Sequence, residues 1–189
     1  MLKRYLSLIF TAIIIITVLV GSPDPARNLI GQGTCQAQNH TMPKESKMME
    51  KFDFLIGDWD LEYRVPKSKF SEGGTGSGAG TFKRALDDKY VYFDYLSSVN
   101  GQEAQAHAIF AWDGKAKVYR FWWFESSGNF LTATCNFVSD EILFLNWHDT
   151  LLKQTFKKIS KNKVVLRMEH PNSEGEYEPI LEVIFTRKV

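Results

Sequence analysis

The sequence predicts an all-β protein: a single antiparallel, up-and-down β-barrel of about ten strands, preceded by a short N-terminal helix. Short runs with apolar or aromatic residues at every second position follow one another through most of the chain, which is the pattern of half-buried strands. Turn-forming pairs such as Asn100-Gly101 and Asp113-Gly114 separate these runs and indicate hairpins. A meander of that many strands either closes or leaves edges exposed, and closure removes the edges.

Length and composition fit one globular domain with an additional N-terminal segment. The chain has 189 residues, of which 44% are apolar, 24% charged and 14% aromatic, and such a length favours a single domain. Residues 38–189 carry 20 basic and 21 acidic side chains, so no strongly basic surface is available for a nucleic acid. We therefore expect no nucleic-acid partner.

The first 37 residues are predicted to be a signal peptide or an N-terminal membrane anchor. Lys3 and Arg4 precede an uncharged, mostly apolar run over residues 5–20, which is the layout of a secretory signal and is short for a membrane span. Cleavage is expected after Ala37, with an uncleaved anchor or lipidation of Cys35 as alternatives. The protein is thus predicted to be exported, to the periplasm or outside the cell. The predicted parts are residues 1–37 (signal or anchor), 38–47 (linker) and 48–189 (barrel domain).

A short helix is predicted over about residues 45–55, before the first strand. Met48, Phe52 and Leu55 fall at positions i, i+4 and i+7 and share one helical face. From residue 59 to 65 every odd position is apolar or aromatic and every even one is charged, which gives the first strand an inner and an outer face. Further strands are predicted near residues 79–86, 90–98, 103–112, 117–125, 130–138, 141–148, 152–159, 163–169 and 177–187.

The glycine-rich segment 73–80 has two interpretations. It is either the flexible loop of the first hairpin, or a set of glycines that lets a strand coil sharply at a barrel corner. The segment lacks the Gly-Lys-Ser/Thr ending of a phosphate loop, the G-x-G-x-x-G spacing and a following helix. Phosphate binding is therefore not predicted there.

The run from Phe54 to Trp59 contains Gly57-Asp58-Trp59 at the start of the first strand. It resembles the opening motif of lipocalins and other calycin barrels, in which the tryptophan plugs one end of the barrel and an arginine from near the end of the fold packs over the indole. Arg187 follows the inner-facing residues of the predicted last strand. The resemblance therefore implies that Gly57, Trp59 and Arg187 close the barrel.

Residues 44–189 are more specifically similar to the bacterial domain-of-unknown-function 1579 family. This resemblance implies a lipocalin-like barrel, and it supplies neither a known activity nor catalytic residues. Besides the opening motif and the glycine-rich segment, the similar stretches are residues 108–113, 119–125, 166–169 and 185–187.

An aromatic block over residues 119–124 is the richest local feature. With a period of two, Tyr119, Phe121 and Trp123 share one face. The block is either core packing of a wide barrel or the wall of an apolar pocket, because ligand sites are mostly apolar and aromatic with a few oriented polar groups. The predicted ligand is a small, largely apolar molecule. Its predicted contacts are Tyr63, Tyr119, Trp123, Gln154, Met168 and His170.

Histidines and cysteines do not indicate a metal or a nucleophile. His40, His107, His148 and His170 are not paired at ligand spacing, so no metal site is predicted. His107 and His148 are expected at the surface. His170 is expected at the barrel rim, either as an ordinary rim histidine or as an axial ligand to haem, the one cofactor considered. Cys135 is expected to be a small buried side chain.

Three functions remain open at the level of sequence. The first is a binding protein that holds a small apolar molecule in the barrel lumen. The second is a haem-binding protein or small-molecule enzyme that uses the same lumen; no catalytic residue is assigned, and a binding protein is the stronger expectation. The third is a partner-binding domain that presents outer aromatic residues such as Trp122 and Phe124.

Overall fold

The computed structural model describes residues 44–68, 71–148 and 150–189. The predicted signal or anchor and most of the predicted linker lie outside the described residues. Within the described ranges, no helix has the length and hydropathy needed to cross a membrane.

Ten antiparallel strands form one closed barrel, which confirms the predicted fold class. Each strand pairs with its neighbours in the sequence, and the first strand pairs with the last, so the topology is an up-and-down meander. The elements are α1 (Lys44–Glu50), β1 (Gly57–Val65), β2 (Gly74–Ala85), β3 (Tyr90–Val99), β4 (Gln102–Asp113), β5 (Val118–Glu125), β6 (Phe130–Ser139), β7 (Ile142–Trp147), β8 (Lys153–Ser160), β9 (Lys163–Pro171) and β10 (Tyr177–Arg187).

The helix is shorter than predicted and buries a slightly different face. It ends at Glu50, and the chain then continues in turns that bond i to i−3, with Phe52 N donating to Met49 O at 3.0 Å and Leu55 N to Phe52 O at 2.9 Å. Such bonds tighten the path and direct the chain into β1. Met49, Phe52 and Leu55 are buried, whereas Met48 is only partly buried.

Residues 74–80 of the glycine-rich segment belong to β2, so the interpretation as a hairpin loop is wrong. The interpretation as a barrel corner stays a prediction. Gly76 pairs with Tyr63 and Gly78 with Leu61, on the inner face of the barrel. A Cβ atom on Gly78 would stand 2.3 Å from Leu96 O, and one on Gly76 would stand 2.4 Å from a backbone oxygen of β3. Glycine is required because the paired strand β3 lies too close to the backbone of β2 at these positions for any side chain.

Aromatic rings fill one end of the barrel, called here the covered end, which α1 and residues 51–55 close. The Phe52 ring packs on Phe110 and Phe137 at centroid distances of 5.0 and 5.1 Å. The rings of Phe82 and Phe93 stack on each other with centroids 3.9 Å apart. All of these rings except that of Phe137 are buried. The opposite end, where β1 ends at Val65, is called the far end.

Candidate functional site

The far half of the lumen contains most of the predicted ligand contacts. Tyr63, Gln154 and Met168 are buried on the inner faces of β1, β8 and β9. Trp123 and His170 are partly buried and also face inward by register. These five side chains come from four different strands and meet in one half of the barrel, as a binding site in the lumen requires.

Tyr119, the sixth predicted contact, lies at the covered end instead. Its hydroxyl donates to Met48 O at 2.8 Å, and its ring meets Phe52 edge to face at 5.2 Å. Burial raises the pKa of this phenol to about 12. Tyr119 therefore holds α1 against the barrel, and it lies apart from the other five predicted contacts.

Three hydroxyl side chains converge in the far half, and only Tyr63 was among the predicted contacts. Tyr63 comes from β1, and Tyr95 and Ser97 come from the inner face of β3. We call them the hydroxyl cluster. The ring of Tyr63 lies over Gly78, where a Cβ atom would be 3.2 Å from Tyr63 Cε2, so the bare glycine backbone is what lets this ring extend towards Ser97.

Ser97 has unused hydrogen-bonding capacity. Its side chain is 5% exposed. Within the described residues its hydroxyl makes no hydrogen bond of regular geometry, although it is close enough to Tyr63 and Tyr95 to lower the pKa values of both phenols. A buried hydroxyl without a partner destabilises a fold by about 1–3 kcal/mol, and such groups are rare.

Both phenols of the hydroxyl cluster are neutral around pH 7. Burial is the main cause that raises the pKa of Tyr95 to about 12, and the negative charge of Glu125 contributes further. Burial, followed by the proximity of Tyr95, raises the pKa of Tyr63 even more. Each phenol therefore keeps its proton and is able to donate a hydrogen bond as well as accept one.

Trp123 forms the partly exposed edge of the cluster. Its indole stacks on the ring of Tyr95, with centroids 5.1 Å apart and planes inclined by 28°. The indole nitrogen donates to Glu125 Oε1 at 3.1 Å, and Glu125 Oε2 accepts from the Ser127 hydroxyl at 3.1 Å. One stacking contact and one surface hydrogen bond thus hold the indole between solvent and the buried hydroxyls.

A second polar contact lies in the apolar wall formed by β7, β8 and β9. Trp147 Nε1 donates to Gln154 Oε1 at 3.2 Å, and both side chains are buried. Gln154 pairs with Met168 on the neighbouring strand. The glutamine satisfies an indole that burial would otherwise leave without a partner.

Basic side chains are absent from the inner positions of the far half, within the part of the chain that the structure describes. By strand register the ionisable groups that face inward there, besides tyrosines, are Glu125, His170 and Glu178. His170 Nδ1 lies 2.8 Å from Pro171 O and donates to it, because a carbonyl only accepts. Among the described residues no three His, Cys, Asp or Glu side chains form a group able to hold a metal ion.

The outer surface carries a groove of about 590 Å³ across β2 to β5. Two of its polar side chains bond to each other: His107 Nδ1 donates to Asp94 Oδ1 at 2.5 Å. Lys83 Nζ, beside the groove, donates to Asp94 Oδ2 at 2.9 Å. His107 thus lies on the outer face, as predicted. Phe124 lines the groove at 40% exposure and contacts Phe130, which is 66% exposed.

Comparisons of the sequence with known proteins identify no family. No family model matches the chain, and no curated protein matches it. The resemblance to the domain-of-unknown-function 1579 family therefore stays a prediction.

Comparison with solved structures finds similar folds. The crystal structure of Rv2717c from M. tuberculosis aligns with a TM-score of 0.53 and 9% identity, over 75% of this chain and 97% of that one. A de novo designed fluorescence-activating β-barrel aligns with a TM-score of 0.41 and 14% identity, over 72% and 95% of the two chains. The S-type phycobiliprotein lyase CPES from Guillardia theta gives 0.45 and 8%, over 78% and 99%. The likeness to Rv2717c concerns the fold alone.

Proposed function

We propose that the barrel binds one small, largely apolar molecule in the far half of its lumen. The observation that carries the proposal is the buried Ser97 hydroxyl, which has no regular hydrogen bond among the described residues. Apolar walls with a few placed polar groups are the usual composition of a ligand site, and the far half has that composition. The proposed contacts are Tyr63, Tyr95, Ser97, Trp123, Gln154, Met168 and His170.

Binding requires a small rearrangement, because most of the inward-facing side chains of the far half, including Tyr63, Tyr95 and Gln154, are buried. Trp123 is the side chain best placed to move. It is partly exposed, and Tyr95 and Glu125 supply its stacking contact and its hydrogen bond. A ligand that replaces the indole against Tyr95 gains the same stacking area and reaches the hydroxyl cluster.

The test is native mass spectrometry of the protein purified from its own host. A stoichiometric extra mass that disappears on denaturation is the expected result, and the mass identifies the ligand. Ser97→Ala should reduce the occupied fraction. Ser98→Ala is the matched control, because this neighbouring side chain lies on the opposite face of β3. Protein that carries no ligand and gains none from a host lipid extract contradicts the proposal.

We also propose that the protein is exported. The proposal is supported by Lys3 and Arg4, which precede the apolar run over residues 5–20. Intact-mass measurement on fractionated host cells tests it. A periplasmic or secreted species with the mass of residues 38–189 is expected for a cleaved signal, and a full-length membrane species is expected for an anchor. Full-length protein confined to the cytoplasm contradicts both.

A further inference from the structure

The hydroxyl cluster and its surroundings point to the chemical class of the ligand. We infer that the ligand is uncharged, with a flat aromatic body and one hydrogen-bonding oxygen, either a carbonyl or a hydroxyl. The Ser97, Tyr63 and Tyr95 hydroxyls hold this oxygen, and the face of the Tyr95 ring holds the aromatic body. The inference rests on the function proposed above and narrows it.

The polar partners that the far half offers are neutral donors and acceptors. Ser97 is buried without a regular hydrogen bond among the described residues, and its two neighbours are phenols that keep their protons. A carbonyl oxygen accepts up to two of these hydrogens, and a ligand hydroxyl both donates and accepts. Either group satisfies Ser97 without bringing a charge into the barrel.

A carboxylate ligand is disfavoured because the inner positions offer it no permanently positive side chain. The one histidine among the inward-facing described residues there, His170, already donates its Nδ1 hydrogen to Pro171 O. Those positions carry no lysine or arginine in the described far half, and Glu125 already places a negative charge close to Tyr95. Burying a charge without an opposite charge is strongly unfavourable. Fatty acids and other small carboxylic acids are therefore excluded from the proposed class.

A cationic ligand gains little from the two carboxylates at inward register positions, because water reaches both. Glu178 is exposed, and its Oε1 accepts from Asn172 Nδ2 at 2.8 Å. Glu125 is partly exposed at the edge of the site, and its Oε2 remains bonded to the Ser127 hydroxyl. Ion pairs that water reaches contribute little. The buried partners around Ser97 are hydroxyls, so a buried ammonium group would lack a counter-charge.

The flat aromatic body of the ligand is inferred from the shape of the Trp123 indole, the side chain that the ligand would replace. The Trp123 indole stacks on the ring of Tyr95 with the planes inclined by 28°, so the space that it fills fits a planar bicyclic ring. The opposite wall is apolar, with Met168 and Leu181 in neighbouring register positions. A naphthalene body has nearly the size of an indole and is the natural probe.

The experiment uses four probes that share the naphthalene ring and differ in one group. They are 2-acetylnaphthalene (a ketone), 2-ethylnaphthalene (apolar), 2-naphthoate (a carboxylate) and 2-(aminomethyl)naphthalene (a cation). Binding to the full-length protein is measured by calorimetry and by quenching of tryptophan fluorescence. We expect the ketone to bind at least about fivefold more tightly than the ethyl compound, which corresponds to one hydrogen bond, and the two charged probes to bind more weakly than the ketone.

Two variants connect the preference to the cluster. Ser97→Ala should remove the advantage of the ketone over the ethyl compound and leave the affinity for the ethyl compound unchanged. Tyr63→Phe should reduce the same advantage, and Ser98→Ala should leave it unchanged. Circular dichroism of each variant verifies that it folds.

The outcomes separate this inference from the proposed function. Equal or tighter binding of the carboxylate or the amine overturns the inference, and so does an advantage of the ketone that survives Ser97→Ala. Failure of all four probes to bind also overturns it. The proposed function fails separately, when protein from its own host carries no ligand and gains none from the lipid extract.

Discussion

Arg187, near the end of the chain, lies over Trp59, near the start of the first strand. The guanidinium carbon is 4.2 Å from the centre of the tryptophan ring. The same guanidinium donates to Ile56 O at 2.5 Å and to Phe54 O at 3.1 Å. β1 and β10 are the two strands whose pairing closes the barrel, with Trp59 opposite Arg187 in the register. One side chain thus fixes the closure and the turn that precedes it.

Replacing Arg187 by methionine should lower the free energy of unfolding by about 2–4 kcal/mol, because a cation–π contact and several hydrogen bonds are lost together. Urea unfolding measures the change. Arg167→Met is the control: Arg167 makes an exposed ion pair with Glu182 at 3.5 Å, and such pairs contribute up to about 1 kcal/mol. Equal effects of the two substitutions would contradict a closing role for Arg187.

Gly78→Ala tests the close approach of β3 to the glycine backbone of β2. The added Cβ would stand 2.3 Å from the carbonyl oxygen of Leu96, and backbone is unable to yield as a flexible side chain does. We expect a loss of about 3 kcal/mol in unfolding free energy. Ser77→Ala, the exposed neighbour on the outer face, should stay within about 0.5 kcal/mol of the parent. A mild effect of Gly78→Ala would mean that the strands separate easily there.

The sequence was sufficient for the fold because the evidence is local. Alternation of apolar and polar residues in β1, and turn pairs such as Asn100-Gly101, report on one strand or one hairpin at a time. The path of the glycine-rich segment is different. Whether glycines form a loop or a corner depends on how close β3 comes, and that distance exists only in the assembled barrel.

The candidate site was predicted less completely than the fold, for two reasons. Alternation places Tyr119 and Trp123 on one face, but it does not say which end of the barrel α1 covers. The helix covers the end that contains Tyr119 and accepts the hydrogen bond of its hydroxyl. The sequence pattern does not single out Tyr95 and Ser97 as ligand contacts, because β3 has aromatic residues on both faces, including Tyr92 on the outer one. The available signal was a serine at an inner position of an otherwise apolar face.

Tyr119→Phe should separate helix docking from ligand binding. Losing the hydrogen bond to Met48 O should reduce the free energy of unfolding by about 1 kcal/mol. The affinity for 2-acetylnaphthalene should not change, since Tyr119 lies at the covered end. Tyr63→Phe gives the opposite pattern, with weaker binding. If Tyr119→Phe weakens binding as much as Tyr63→Phe does, Tyr119 belongs to the ligand site as the sequence predicts.

Ser97→Ala should leave the ligand-free protein as stable as the parent or up to about 1 kcal/mol more stable. The buried Ser97 hydroxyl makes no regular hydrogen bond among the described residues, so removing it also removes its desolvation penalty. Thermal unfolding of protein freed of ligand measures this. Ser98→Ala provides the baseline for a serine on the outer face. A loss of more than about 1 kcal/mol on Ser97→Ala would show that the hydroxyl already has a structural partner, and the proposed function would lose its main support.

Tyr95 should make the protein sensitive to alkali. Its pKa of about 12 in the folded chain lies above the ordinary value of 10.0, mainly through burial and then through Glu125. A group whose pKa is raised by folding contributes its full stabilisation at pH values below its pKa in the unfolded chain. That contribution is lost as the pH rises through its pKa in the folded chain. The stabilisation from Tyr95 is therefore complete below about pH 10 and lost by about pH 12, a difference of roughly 3 kcal/mol.

Urea midpoints of the parent and Tyr95→Phe, measured from pH 8 to pH 12, test this dependence. Below pH 10 the two curves should run parallel, which serves as the internal control. Above pH 10 the parent should lose stability more steeply than the variant, because Tyr95 titrates only in the parent. Tyr63 and Tyr119 contribute to the loss in both proteins. Absorbance at the phenolate band should show one fewer late-ionising tyrosine in the variant. Parallel curves over the whole range would mean that Tyr95 ionises in contact with water, and that the hydroxyl cluster is open to solvent without a ligand.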